Sequence, residues 1–467
     1  MRIAVEGCCH GELDAIYGAV AEADARSGQR TDVLLICGDF QAVRNDADMP
    51  CMAMPQKYWQ LGTFSSYYSG QTVAPYLTIV IGGNHETSNY MWELYHGAGA
   101  SGIYKSHDYR RGHYERLPFD HSSLRSIYHI REYDVFRLAQ LALDGRSPGV
   151  FLSHDWPLAI ERYGDTPALL RAKPFFTAEV ARNELGSPPL AHLLTTLKPA
   201  YWFAAHLHVR FAALCKHDPP EPTRVKGQVL QPNRAVAAAS GNANAQPLGL
   251  SDSGDEAIEA QARAVAADAA RQPDAAVDES VDLAEVRAAP VNPDEIAIED
   301  DEPVVVVAAP APAPPPTARA TKFLALDKCL PGRHFLQIID VDTPTPLADG
   351  AEPTLTFDPL WLAITRAFHS SLPLTRDAAR NMPFDDPSRA HALVTRELEW
   401  VRANVRERGL ASVAGVQLFE PTAPAQQPGQ PARKLSPNDQ PPAYTNPQTE
   451  AFCTMLQIEN KINPRKA

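Results

Sequence analysis

The chain has 467 residues, 42 of them proline, and a formal net charge of −13. Proline at about 9% against an average near 5% excludes a chain that is folded throughout, while the length leaves room for two or three domains. An acidic total argues against a nucleic-acid partner, but 16 Asp and Glu against 3 Arg fall between Ser251 and Glu302, leaving 40 acidic and 40 basic residues elsewhere and local basic patches possible.

In chain order, five short apolar runs at residues 3–5, 33–37, 76–81, 150–152 and 201–204 predict buried strands. Between the first two, Leu13, Ile16, Tyr17, Val20 and Ala23 recur at helical spacing and Gly28 closes the segment. This β-α-β start sets the class as α/β. From about residue 219 to 320 the composition shifts to Ala, Pro, Asp and Glu, too poor in apolar surface to offset chain entropy, which predicts a disordered linker. Order resumes at Thr321, with a strand expected at 335–339. Asp358-Pro359 opens a helix carrying Leu360, Trp361, Ile364 and Phe368, and Asp386-Pro387 opens another that runs through Leu393, Val394, Leu398 and Val401 to Gly409. The expected organisation is a catalytic domain at 1–218, the linker at 219–320, a small C-terminal α+β domain at 321–420 and a flexible, proline-rich tail at 421–467.

Seven cysteines without a C-x-x-C pair, and no apolar signal segment before them, point to a reducing intracellular compartment. No apolar run reaches the roughly 18 residues of a membrane span, so a soluble protein is expected.

Each of the five apolar runs is followed within a few residues by potential metal ligands: Cys8 and His10, Asp39, Asn84-His85, His154, then His206 and His208. One histidine after a strand is most simply a core or capping residue. Five successive cases point to strand ends converging on one site. On extended backbone, C-x-H and H-x-H also place alternate side chains on a shared face, which sends Cys9 to the other side as a structural residue.

The motifs C-x-H, G-D-F, G-G-N-H-E, S-H-D and A-H-L-H resemble, in order, those of calcineurin-like metallophosphoesterases. Cys8, within Gly7-Cys8-Cys9-His10-Gly11, stands where that family normally has aspartate, which is the mark of its RNA lariat debranching branch. The resemblance extends to Gly102-Ile103-Tyr104-Lys105-Ser106-His107-Asp108-Tyr109, to Ser126-Ile127-Tyr128-His129 and to the run from Thr321 to Pro331. It implies a β-sandwich flanked by helices, nuclear localisation, and hydrolysis of the 2′–5′ branch of lariat RNA. It further implies two metal ions, Fe²⁺, Zn²⁺ or Mn²⁺, one held by Cys8, His10, Asp39 and His208 and the other by Asp39, Asn84, His154 and His206. His85 would be the general acid. A soft thiolate favours zinc or ferrous iron over magnesium or calcium.

Basic residues interleave with aromatics between residues 104 and 131, where the resemblance places a lariat-recognition loop. Lys105, Tyr109, Arg110, Arg111, Arg125 and Tyr128 are the candidate RNA contacts. Branched RNA is thus the expected partner, and the sequence does not name protein partners for the acidic linker. Only about fifteen residues, 87–101, separate the G-G-N-H-E motif from Gly102. Family members usually carry a few tens more there, so an internal deletion near 95–101, from a skipped exon or a misassembled transcript, is expected to weaken folding and debranching. The competing readings are a generic metallophosphoesterase acting on phosphoproteins or small diesters, and an RNA-binding scaffold that has lost activity.

Overall fold

The computed structural model describes residues 1–96, 101–217, 320–343, 351–377, 386–416, 419–427, 429–430 and 433–464. The linker read at 219–320 lies outside them apart from Ala320, as do residues 97–100 of the short segment.

Eight strands are described: β1 (Arg2–Glu6), β2 (Val33–Ile36), β3 (Leu77–Val80), β4 (Val150–Leu152), β5 (Tyr201–Ala204), β6 (Phe211–Lys216), β7 (Ala320–Ala325) and β8 (Leu336–Asp340). They form two four-stranded sheets, ordered β3-β2-β1-β8 and β4-β5-β7-β6. Pairing is parallel within β1–β3 and along β4-β5-β7, while β8 on β1 and β6 on β7 are antiparallel. The five strands expected in the first 210 residues are all present, with β1–β3 shifted by a residue or so at their ends.

Alternation explains the layering, because successive side chains of a strand point to opposite faces. Ile3, Val5, Val33 and Leu35 pack with Phe203, Leu324 and Leu326 of the other sheet, which closes the sandwich. Ala4, Leu34 and Ile36 face the other way, onto Leu13, Ile16, Tyr17 and Val20 of helix α1 (Leu13–Ser27). Gly28 ends that helix at φ 67°, a left-handed turn that glycine adopts without a Cβ clash. The outer face of the second sheet, with Phe151, Trp202 and Phe323, carries the largest core. The helices packed there include α2 (Glu132–Ala139), α3 (Pro188–Leu197), α4 (Pro359–Phe368), α5 (Pro387–Val401) and α6 (Pro447–Leu456). Asp358 and Asp386 cap α4 and α5 as their Asp-Pro pairs suggest, each accepting two backbone N–H groups. Such caps contribute about 1 kcal/mol each.

The expected C-terminal domain does not stand apart from the catalytic one: β7 lies between β5 and β6 in one sheet and β8 extends the other, so Met1–Pro220 and Pro315–Ala467 make one unit. The stretch from 421 is not a loose tail either. Ala423, Leu435, Phe452, Leu456 and Ile462 are buried, Thr422 bonds to Arg44 and Glu93, and α6 joins the main core. No helix among the described residues is long and apolar enough to cross a membrane.

Candidate active site

The five ligand-bearing segments converge as expected, but from both sheets: β1, β2 and β3 deliver Cys8, His10, Asp39, Asn84 and His85, while β4 and β5 deliver His154, His206 and His208. Ligand atoms of Cys8, His10, Asp39 and His208 all lie within 4.8 Å of one another. The two imidazoles His10 and His208 approach to 3.3 Å between Nε2 atoms, and His10 Nε2 stands 3.7 Å from Asp39 Oδ2. The His206 backbone N–H donates to Cys8 Sγ at 3.2 Å.

Asp39 is the centre of the arrangement. Its Oδ1 accepts the backbone N–H groups of Asn84 and His85, both at 2.9 Å, and lies 3.4 Å from His154 Nε2. Its Oδ2 is buried with no hydrogen-bond partner. Burial alone would raise this carboxyl, but His154, His85 and His10 outweigh that and hold it ionised, well below the usual range. Burial likewise drives His10 down to about 3 and His208 well below its ordinary value, so both imidazoles are neutral and free to ligate.

His154 shows how its partner fixes a tautomer. Nδ1 lies 2.8 Å from the Cys37 carbonyl, which can only accept, so Nδ1 carries a proton and, in the neutral ring, Nε2 presents a lone pair. That lone pair faces Asn84 Oδ1 at 3.0 Å. With Asp39 Oδ1, three electron-rich atoms surround one point. A cation satisfies them, just as it satisfies the orphaned Oδ2, so the donor set fits divalent metal on both sides of Asp39.

The backbone differs from the extended geometry expected for C-x-H and H-x-H. His10, Asp39, His206 and His208 have φ of 48°, 47°, 62° and 48°. Left-handed backbone at non-glycine residues is strained, and its clustering here marks a functional site. The ligands therefore meet through turns at the strand ends, not through alternation along a strand. Cys9 does face away from Cys8, into the α1 side of the sheet. The turns pack so closely that a Cβ on Gly83 would fall 2.2 Å from Asp39 Oδ1, and one on Gly38 2.3 Å from His154 Nδ1.

Two positioning residues carry no metal-ligand signature of their own. The buried Glu86 accepts N–H groups of Phe40 at 2.7 Å, Gln41 at 2.9 Å and Gly83 at 2.9 Å, tying the Asp39 turn to the Asn84 turn. Gln41 places its side-chain amide 3.1 Å from His10 Nδ1, leaving Nε2 toward the cluster. The glutamate of G-G-N-H-E was visible as part of the motif, whereas nothing local distinguishes Gln41.

His85 stacks obliquely 5.7 Å from the His10 ring, and its Nδ1 is buried without a partner. The loop at 104–131 is anchored beside the site by the Tyr104 N–H donating to Asp155 Oδ2 at 3.2 Å. Within it Lys105 and Arg110 are exposed. Arg111 pairs with Asp108, Tyr109 packs on Tyr104, Tyr128 packs on His129, and Arg125 is partly buried. Asp108 is held down at about 2, because His129 and the nearby cations outweigh burial.

Comparison with known proteins agrees with this architecture. Residues 1–210 match the family described as calcineurin-like phosphoesterase, and residues 318–461 match the lariat debranching enzyme C-terminal domain, which reaches well past residue 420. Proteins named lariat debranching enzyme align from Arabidopsis thaliana at 36% identity over 98% of this chain and 86% of the relative, and from Homo sapiens at 37% over 98% and 69%. The relative of that name from Schizosaccharomyces pombe is 35% identical over 99% of this chain and 96% of its own length. Sequence, fold and strand-end ligands thus agree, and the chain belongs to the lariat debranching enzyme family of calcineurin-like phosphoesterases.

Proposed function

We propose that this protein is a metal-dependent phosphodiesterase that hydrolyses the 2′–5′ branch linkage of excised lariat RNA, in the nucleus, using two cations drawn from iron, zinc and manganese. The observation that carries this reading is the convergence of strand-end ligands on Asp39, with Cys8 in place of the usual aspartate. Cys8, His10, Asp39 and His208 would hold one cation, and Asp39, Asn84, His154 and His206 the other. When bound, such cations neutralise the anionic diester and make water acidic enough to attack at neutral pH.

The remaining roles belong to the chain. Asp39 is fixed by two backbone N–H groups, so it would hold a cation without reorganising. Neutral Asn84 would hold a cation without adding repulsion to a phosphate. His85 donates a proton to the departing 2′ oxygen. Lys105 and Arg110 supply exposed cations for RNA phosphates beside Tyr109 and Tyr128. These features favour a looped RNA over a phosphoprotein or small diester.

The test is cleavage of a synthetic 2′–5′ branched RNA beside a linear 3′–5′ control. The branched substrate should be linearised and the control spared, with activity lost in EDTA and regained with iron, zinc or manganese. His208→Ala, Asp39→Ala and His10→Ala should each abolish turnover. Full activity in EDTA refutes the metal mechanism, and equal cleavage of both RNAs refutes the branch specificity.

A further inference from the structure

The carboxyl end of β7 leads directly into the wall of the metal site. Lys328 pairs with Cys8 in a parallel bridge, the Cys329 N–H donates to the Cys8 carbonyl at 3.1 Å, and the Asp327 carbonyl accepts from Cys8 N–H at 3.4 Å. Lys328 therefore reaches the surface next to the cluster, half-buried, and its ammonium has no ion-pair partner among the described residues.

Lys328 is not alone. Lys173 is lowered by burial first, and it feels the charges of Asp327, Arg333 and Lys328, which places it in their electrostatic reach. Arg333 takes part of that carboxylate at 3.5 Å. The cluster keeps a positive excess. Beside it Phe175 is 41% exposed, an aromatic face left in solvent, with the Lys173 ammonium 5.8 Å from its ring centre. The neighbouring Phe176 is buried in the core and holds the segment in place. Segment 173–182 also borders the loop at 104–131, since Lys105 acts on Glu179. Cations and an exposed ring thus form a track from that loop to the Cys8 side of the site.

We propose that Lys173, Lys328 and Arg333, with Phe175, bind one of the RNA strands that leave the branch nucleotide, the cations holding successive phosphates and the Phe175 ring stacking one base. The proposal rests on the debranching reading. It adds a second RNA surface, built partly from the segment after the linker, for a substrate in which three strands meet at one nucleotide. Cations paired with an aromatic platform suit single-stranded RNA, because every base has a face to stack and every nucleotide a phosphate.

The test is fluorescence anisotropy of labelled synthetic branched RNA with the full chain, kept in chelator so that the substrate survives. Lys173→Gln combined with Lys328→Gln should weaken binding about tenfold and flatten the salt slope by about 1.4, the value for two lost single-strand phosphate contacts. Phe175→Ala, at a partly exposed position, should weaken it about tenfold through lost stacking. In the unaltered protein, 4-thiouridine placed along each strand in turn should crosslink to residues 173–176 or 328–333 from one strand. Binding within twofold of the original in both variants, or no crosslink to these residues from any strand, overturns the proposal. Failure of the unaltered protein to bind or cleave branched RNA would instead overturn the debranching reading beneath it.

Discussion

At the scale of single residues, Cys8 is the proposed ligand that would set the preference among cations. Burial, with Asp39 and Glu6 adding to it, pushes the thiol well above its ordinary value, so it ionises there only against a metal. Cys8→Asp should shift loading toward manganese and magnesium, read by metal analysis after competitive loading; an unchanged preference excludes Cys8 as a ligand. Glu86 acts at one remove. Glu86→Ala leaves three buried N–H groups unpaired and should destabilise the fold by about 3 kcal/mol or more, with Glu86→Gln costing about 1–3 kcal/mol because one amide hydrogen now faces a donor. Thermal melting measures both, and a Glu86→Ala protein as stable as the original removes the strap. The ligands were legible because each directly follows an apolar run. The left-handed turns at His10, Asp39, His206 and His208 were not, since closing of the site imposes them against local preference.

At the scale of elements, the legible parts were those with local signals: alternating or continuous apolar runs, helical spacing and Asp-Pro caps. The place of β7 and β8 in the sheets was illegible because strand register across a long connection leaves no trace in either strand's own sequence. The tail misled through its prolines, which do not prevent anchoring by a few apolar side chains such as Phe452, Leu456 and Ile462. His96 stacks on Phe452 of α6, with ring centres 5.2 Å apart, and burial, then Arg137 and His369, depresses it to about 3. An unfolded histidine titrates near 6.5, so between pH 6.5 and 3 the unfolded state binds more protons and stability falls as pH falls. Below pH 6 the melting temperature should therefore drop, and His96→Phe should reduce the slope by up to about 1.4 kcal/mol per pH unit. An unchanged slope would place the acid sensitivity elsewhere.

At the scale of the whole molecule, the expected deletion near 95–101 bears on one edge of the first sheet. Beside β3, whose only strand partner among the described residues is β2, a cavity of about 840 Å³ is lined by Tyr17, Phe64, Val80, Leu94, Tyr95 and Phe452 among others. The alignment with the Arabidopsis relative spans 484 positions while using 98% of 467 residues, or about 458, so about 26 positions of it lack a counterpart here. If the deletion expected near 95–101 accounts for part of that difference, this edge lacks a strand-forming segment. Inserting the relative's segment between Tyr95 and Ala100 should raise Tm by about 1–3 °C, the shift that 1–2 kcal/mol produces at this size, and speed debranching. Equal Tm and rate with and without it would show the shorter form to be fully competent. The interleaving of β7 between β5 and β6 also sets a timetable for biosynthesis. During translation at roughly 5–20 residues per second, the ribosome must add about a hundred residues beyond Lys216 before that inner strand emerges. Through those seconds the nascent chain has every proposed ligand but not the Asp327–Cys329 wall against which Cys8 is held. Closure of the site around Cys8 thus waits for a segment made about a hundred residues after the last proposed ligand.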